Sequence, residues 1–81
     1  MGEDAIETIV VRDVIRLGQF VKYANLVESG AMARDYIQAG MVKVDSQIET
    51  RRGRQLHGGE IVECGGQTVR VVCGDRKSDS I

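Results

Sequence analysis

The 81 residues predict an α+β fold, two short helices packed against a small, mostly antiparallel sheet, on three observations. Apolar residues recur with helical spacing twice between Leu17 and Ile37. Period-two alternation follows directly after Gly40. Two further alternating runs flank Gly65-Gly66, a dipeptide suited to a two-residue hairpin turn.

Met1 to Ala5 carries no pattern and is expected to be loose. Ile6 to Val11, with Thr8 and four further β-branched residues, predicts a strand, although the run Ile9-Val10-Val11 lacks clean alternation. Asp13 then either caps the first helix, or Val14-Ile15 stays extended until Arg16. Leu17, Phe20, Val21 and Ala24 form the i, i+3, i+4, i+7 stripe of one buried helical face. Arg16, Gln19 and Tyr23 share another stripe that faces solvent. The second helix starts after Ser29, whose hydroxyl accepts from free backbone N–H groups, and stops at Gly40, where a residue without Cβ turns left-handed. Within it Ala33, Tyr36 and Ile37 repeat the buried spacing.

Met41 to Asp45 alternates as a strand, with Val42 and Val44 on one face and Met41 and Lys43 on the other. Ser46-Gln47 is expected to make a tight connection, after which Ile48 to Thr50 returns beside it. With ten glycines and no proline, turns fall to glycine, and Gly53, Gly58 and Gly59 punctuate a connecting region. Glu60 to Cys64 and Gln67 to Cys73 form the last hairpin, with Cys64 facing Gln67 and Val62 facing Val69. Val62, Cys64, Val69, Val71 and Cys73 then share the face turned to the helices. Residues 74 to 81 read as a polar, frayed tail, so a single domain is expected over 6–73.

Bulk composition bounds the function. At 42% hydrophobic and 28% charged the chain is ordinary for a folded soluble domain. No run approaches the roughly 18 apolar residues of a membrane span. The acidic start Met-Gly-Glu-Asp is unlike a signal peptide, which leaves a cytoplasmic location as the expectation. Two cysteines separated by eight residues and one histidine, His57, do not make a four-ligand zinc set. The hairpin register also keeps Cys73 away from Cys64, so both are expected as buried or half-buried thiols. Catalysis needs a nucleophile or metal with a positioned base, and nothing here supplies it. The reading is of a non-enzyme without cofactors.

A net charge of −1 argues against nucleic acid until its distribution is examined. Residues 1 to 15 hold one arginine against four carboxylates, a balance of −3. Residues 16 to 54 hold seven basic residues against four acidic, a balance of +3. Because salt screens beyond about 8 Å, this local excess is what a phosphate would feel.

The order Arg16-Leu17, Ser29, Ala33, Ile37, Gly40, Val42, Val44 and later Gly59-Glu60-Ile61 resembles the RNA-binding domain first known from small-subunit ribosomal protein S4. Val-Lys-Val-Asp followed by Glu-Thr-Arg-Arg on so short a chain resembles, more narrowly, the stand-alone bacterial members of the YbcJ type. The likeness runs from Ile15 to Cys64. It implies an alpha-L motif, in which a helix pair and the following loop form the RNA-contacting face. Family analogy points to ribosomal or transfer RNA as the target and to association with the ribosome, and the chain is expected to be a monomer. Three positions depart from the pattern: Gly18 where an acidic residue is usual, Gly30 where an arginine is usual, and Asp45-Ser46 in place of Asn-Gly.

On this reading the RNA contacts are Arg16, Gln19 and Lys22 on the first helix, Arg34 as a substitute for the arginine missing at Gly30, Lys43 on the strand, and Arg51, Arg52 and Arg54 in the loop. Guanidinium groups bind phosphate bidentately, and Gly53 lets the backbone approach a sugar-phosphate chain. Each of these residues also has a bland reading as a solvated surface charge. Tyr23 offers a ring for an unpaired base, but partial burial is the expectation for it. A different class remains open: a protein-interaction adaptor using an exposed strand edge or apolar patch, if Met41, Val72 or the Ile6 to Val11 strand forms a contiguous exposed apolar surface.

Overall fold

A computed structural model describes residues 6–74. The order of elements is β1 (Glu7–Val11), β2 (Ile15–Arg16), α1 (Leu17–Tyr23), α2 (Gly30–Gln38), β3 (Val42–Val44), β4 (Gln47–Ile48), β5 (Gln55–Leu56), β6 (Ile61–Cys64) and β7 (Gln67–Cys73). Five strands form one sheet in the order β1-β7-β6-β3-β4, parallel between β1 and β7 and antiparallel elsewhere. β2 and β5 form a separate two-residue ladder, Ile15 opposite Leu56 and Arg16 opposite Gln55.

The α+β reading holds, and its physical basis is the core. Leu17, Phe20 and Val21 of α1 and Ala33 and Ile37 of α2 are buried in one cluster with Val42, Val44, Val62, Cys64, Val69 and Val71 of the sheet. Period 3.6 on the helices and period 2 on the strands thus deliver apolar side chains to one interlayer. The hairpin register is as expected, Cys64 opposite Gln67 and Val62 opposite Val69. Cys64 is buried, which pushes its thiol pKa up, and Cys73 is half-buried; both are free. Ser29 caps α2 by accepting from the Met32 N–H at 3.1 Å, and Gly40 follows its end at φ +77°.

Several local expectations need correction. Of the two alternatives ahead of α1 the second holds: Asp13 does not cap the helix, its carboxylate accepts from the Val14 N–H, and the chain stays extended to Arg16. The β3–β4 connection is Asp45-Ser46, one residue earlier than expected, so Val44 faces Gln47. Both turn residues have positive φ, 53° and 71°, the type I′ arrangement whose twist matches that of the strands. Turns are therefore not left to glycine alone, and Asn25 (φ 61°) is a third example. β4 ends at Ile48, although the Glu49 N–H still donates to the Val42 carbonyl at 3.0 Å, and the Glu49 side chain is buried. β5 replaces part of the irregular connection expected between Gly53 and Gly59. Gly74, expected to begin a loose tail, donates its N–H to the Val11 carbonyl at 2.8 Å. The remaining terminal expectations, for residues 1–5 and 75–81, lie outside the described residues. Among the described residues no helix is long and apolar enough to cross a membrane.

Candidate nucleic-acid interface

The loop after β4 reaches α1 through backbone chemistry. The first N–H groups of a helix have no intrahelical acceptor. Here the Leu17 N–H donates to the Arg54 carbonyl at 2.8 Å and the Gly18 N–H to the Arg52 carbonyl at 3.0 Å. Arg16 at the N-cap makes no side-chain cap bond, so the loop carries out that role. The adjoining β2–β5 ladder fixes the same two segments side by side. A Cβ on Gly18 would come 3.5 Å from the Arg52 Cβ, so the Arg52 side chain leaves the loop against the start of α1.

An open groove of about 770 Å³ lies at this junction. Arg16 lines it from the end of β2, Gln19, Lys22 and Tyr23 from α1, Gly30 and Ala33 from α2, and Arg52 and Gly53 from the loop. Four of the eight expected contact residues, Arg16, Gln19, Lys22 and Arg52, are thus brought together.

The other four are placed differently. Glu49 is only 8% exposed and holds two of the loop arginines. Its carboxylate accepts from Arg51 Nε at 3.0 Å and Nη2 at 3.3 Å, from Arg54 Nη1 at 3.0 Å and from the Arg51 backbone N–H at 3.1 Å. The Arg51 hydrogen bond is the main cause that lowers the Glu49 pKa to about 2, against an opposing contribution from burial. Arg51 still exposes 75% of its side chain, whereas Arg54 exposes 33%. One carboxylate thus offsets one of their two positive charges and fixes both side chains, and among the described residues Arg52 has no such ion pair. Arg34 sits on α2 one turn beyond Gly30, 3.9 Å from Asp35, and does not line the groove. Lys43 points to the sheet face opposite Val42 and Val44, beside Ile48 and Glu63, away from the helices.

Tyr23 was expected to be partly buried, yet it is 59% exposed. Its hydroxyl donates to the Val10 carbonyl at 3.2 Å, which anchors the ring at the groove edge without covering it. Sequence reasoning also missed Glu49 as the organiser of the loop. The signal was present as one carboxylate among four nearby cations in 49–54 and Lys43, but a charge count does not reveal burial. The exposed apolar residues that would favour an adaptor fall into two small groups rather than one surface. Val10 and half-buried Val72 face each other at the β1 edge, while Met41 and Ile48 lie at the β3–β4 edge, with Arg70, Glu63 and Lys43 between.

Comparison with known proteins agrees with this geometry. The S4 domain family model matches residues 9–72. A probable ribosome maturation protein of Bacillus subtilis, RlbA, is 41% identical over 54 residues, covering 67% of this chain and 76% of its own. YbcJ of Escherichia coli is 38% identical over 58 residues, 72% of this chain and 83% of its own. The solution structure of YbcJ, reported to reveal an alpha-L motif involved in RNA binding, superposes with a TM-score of 0.62 at 34% identity, covering 83% of this chain and 87% of that one. The 30S ribosomal protein S4e of Thermoplasma acidophilum shares the fold at TM-score 0.62 and 20% identity; the match covers 74% of this chain and about a third of that protein (32%). The match of the family model over most of the chain, on a helix pair and loop arranged in this way, makes this protein a member of the S4 domain family.

Proposed function

We propose that this chain is a non-catalytic RNA-binding protein that acts as a cytoplasmic monomer on structured RNA through the α1–α2–loop groove. The observation that carries the reading is the convergence of Arg16, Gln19 and Lys22 with Arg52 around one open groove on a molecule of net charge −1. Structured RNA hides its bases in a deep, narrow groove and presents phosphates and 2′-hydroxyls, which suits cations and an amide on a shaped surface. YbcJ, described as carrying a motif involved in RNA binding, and RlbA, named for ribosome maturation, favour ribosomal RNA over transfer RNA as the target.

Filter binding to ribosomal RNA across a salt series tests this. Each lost phosphate contact reduces the slope of log affinity against log salt by about 0.7–0.9. Arg16→Ala, Lys22→Ala and Arg52→Ala are expected each to flatten it by that amount, with Lys43→Ala and Arg34→Ala leaving it unchanged. Equal effects at all five positions would remove the groove as the site.

A further inference from the structure

We propose that the groove takes one unstacked nucleotide of its RNA, with the base against the Tyr23 ring and its flanking phosphates among Arg16, Lys22 and Arg52, so that the preferred ligand is a bulge or loop rather than continuous duplex. This rests on the RNA-binding reading and sharpens it.

The groove's volume of about 770 Å³ falls within the roughly 300–1,000 Å³ range of clefts that enclose small ligands. A paired base inside an A-form stack cannot enter such a recess, whereas an unpaired one can be splayed out onto an aromatic side chain. Tyr23 is more than half exposed, so core packing does not account for it, and its hydroxyl bond to Val10 holds the ring in place at little further entropic cost on binding.

The opposite wall is bare. Gly30 opens α2, yet its φ is not positive and a Cβ there would meet nothing within 4 Å. Neither backbone conformation nor crowding requires glycine at that position, and glycine is the poorest helix former after proline. What its missing side chain does provide is room in the groove. Gly53 lines the groove in the same open manner. Gln19, between the cations, has an amide that both donates and accepts, the pairing a base edge requires.

The test uses a hairpin RNA with a single bulged 2-aminopurine and its fully paired counterpart, each titrated with the full chain at fixed salt. The bulged RNA is expected to bind more tightly, with 2-aminopurine fluorescence quenched as the base stacks. Tyr23→Phe is expected to keep both effects. Tyr23→Ala is expected to lose about 5- to 150-fold in affinity for the bulged RNA only, the range for one base on one aromatic ring. Gly30→Leu, at a position with free space around it, is expected to abolish the preference while the protein stays folded. Equal affinity of the wild-type chain for both RNAs, or equal losses on both in Tyr23→Ala, would overturn the proposal while leaving RNA binding in place. Absent binding of both RNAs would instead overturn the RNA-binding reading on which it depends.

Discussion

Glu49 shows how one side chain redistributes the charge of a whole loop. Three arginines within four residues look like a phosphate clamp, but the folded chain spends Arg51 and Arg54 on a carboxylate and leaves Arg52 for the groove. The pairing has a pH signature. A carboxyl whose pKa falls from 4.5 unfolded to about 2 folded adds stability above the higher value, and that stability is lost as pH falls through the lower one. Allowing for solvent around Arg51, its size is about 1–2 kcal/mol. The thermal midpoint of the wild-type chain is therefore expected to fall between pH 5 and pH 2, and Glu49→Gln to remove this component while lowering the midpoint at pH 7. An identical pH profile in Glu49→Gln would show that the carboxylate does not hold the loop. The Arg-rich run was legible as a loop of interest, but its internal pairing was not, because whether a carboxylate is buried depends on residues distant in the chain.

Helix and strand periodicity made most elements readable. The two helical stripes, the cap at Ser29 and the Gly65-Gly66 hairpin all depend on neighbours within a few residues, where steric and hydrogen-bonding rules act locally. The β2–β5 ladder was invisible because two-residue strands carry no period. The turn at Asp45-Ser46 was placed one residue late, since neither residue announces a positive φ as glycine does. Asp45 has a second task that explains its presence there: its N–H donates to the Ile61 carbonyl at 2.8 Å and its carboxylate accepts from the Ile61 N–H at 3.1 Å. Among the described residues Ser46 makes no comparable bond. Ser46→Gly is thus expected to relieve the left-handed conformation and stabilise the fold by about 0.5–1 kcal/mol in urea unfolding. A loss of stability would mean that the Ser46 hydroxyl supports the turn.

At the scale of the molecule, β1 closes the sheet by lying parallel to β7, joining the two ends of the described chain. Val11 is buried and Ile9 packs against the core, so removing residues 1 to 11 is expected to cost about 3 kcal/mol or more, a large part of the stability of a domain this small. Urea unfolding of the truncated chain with an unchanged midpoint would contradict this. Such a parallel pairing joins residues more than sixty positions apart. Local pattern marked β1 as a strand but said nothing of its partner. The same division holds for function. Sequence by itself determined the α+β class, the helix pair, the hairpin and the segment that carries the positive charge, because each is written in residue type and short-range spacing. Only tertiary structure decided which cations meet: it docked the loop on the first turn of α1, set the helix pair on the sheet face that Lys43 does not share, paired Arg51 and Arg54 with the single Glu49 carboxylate, and left Tyr23 exposed. Charge and aromaticity belong to residues, but their convergence depends on contacts between segments that no local rule links.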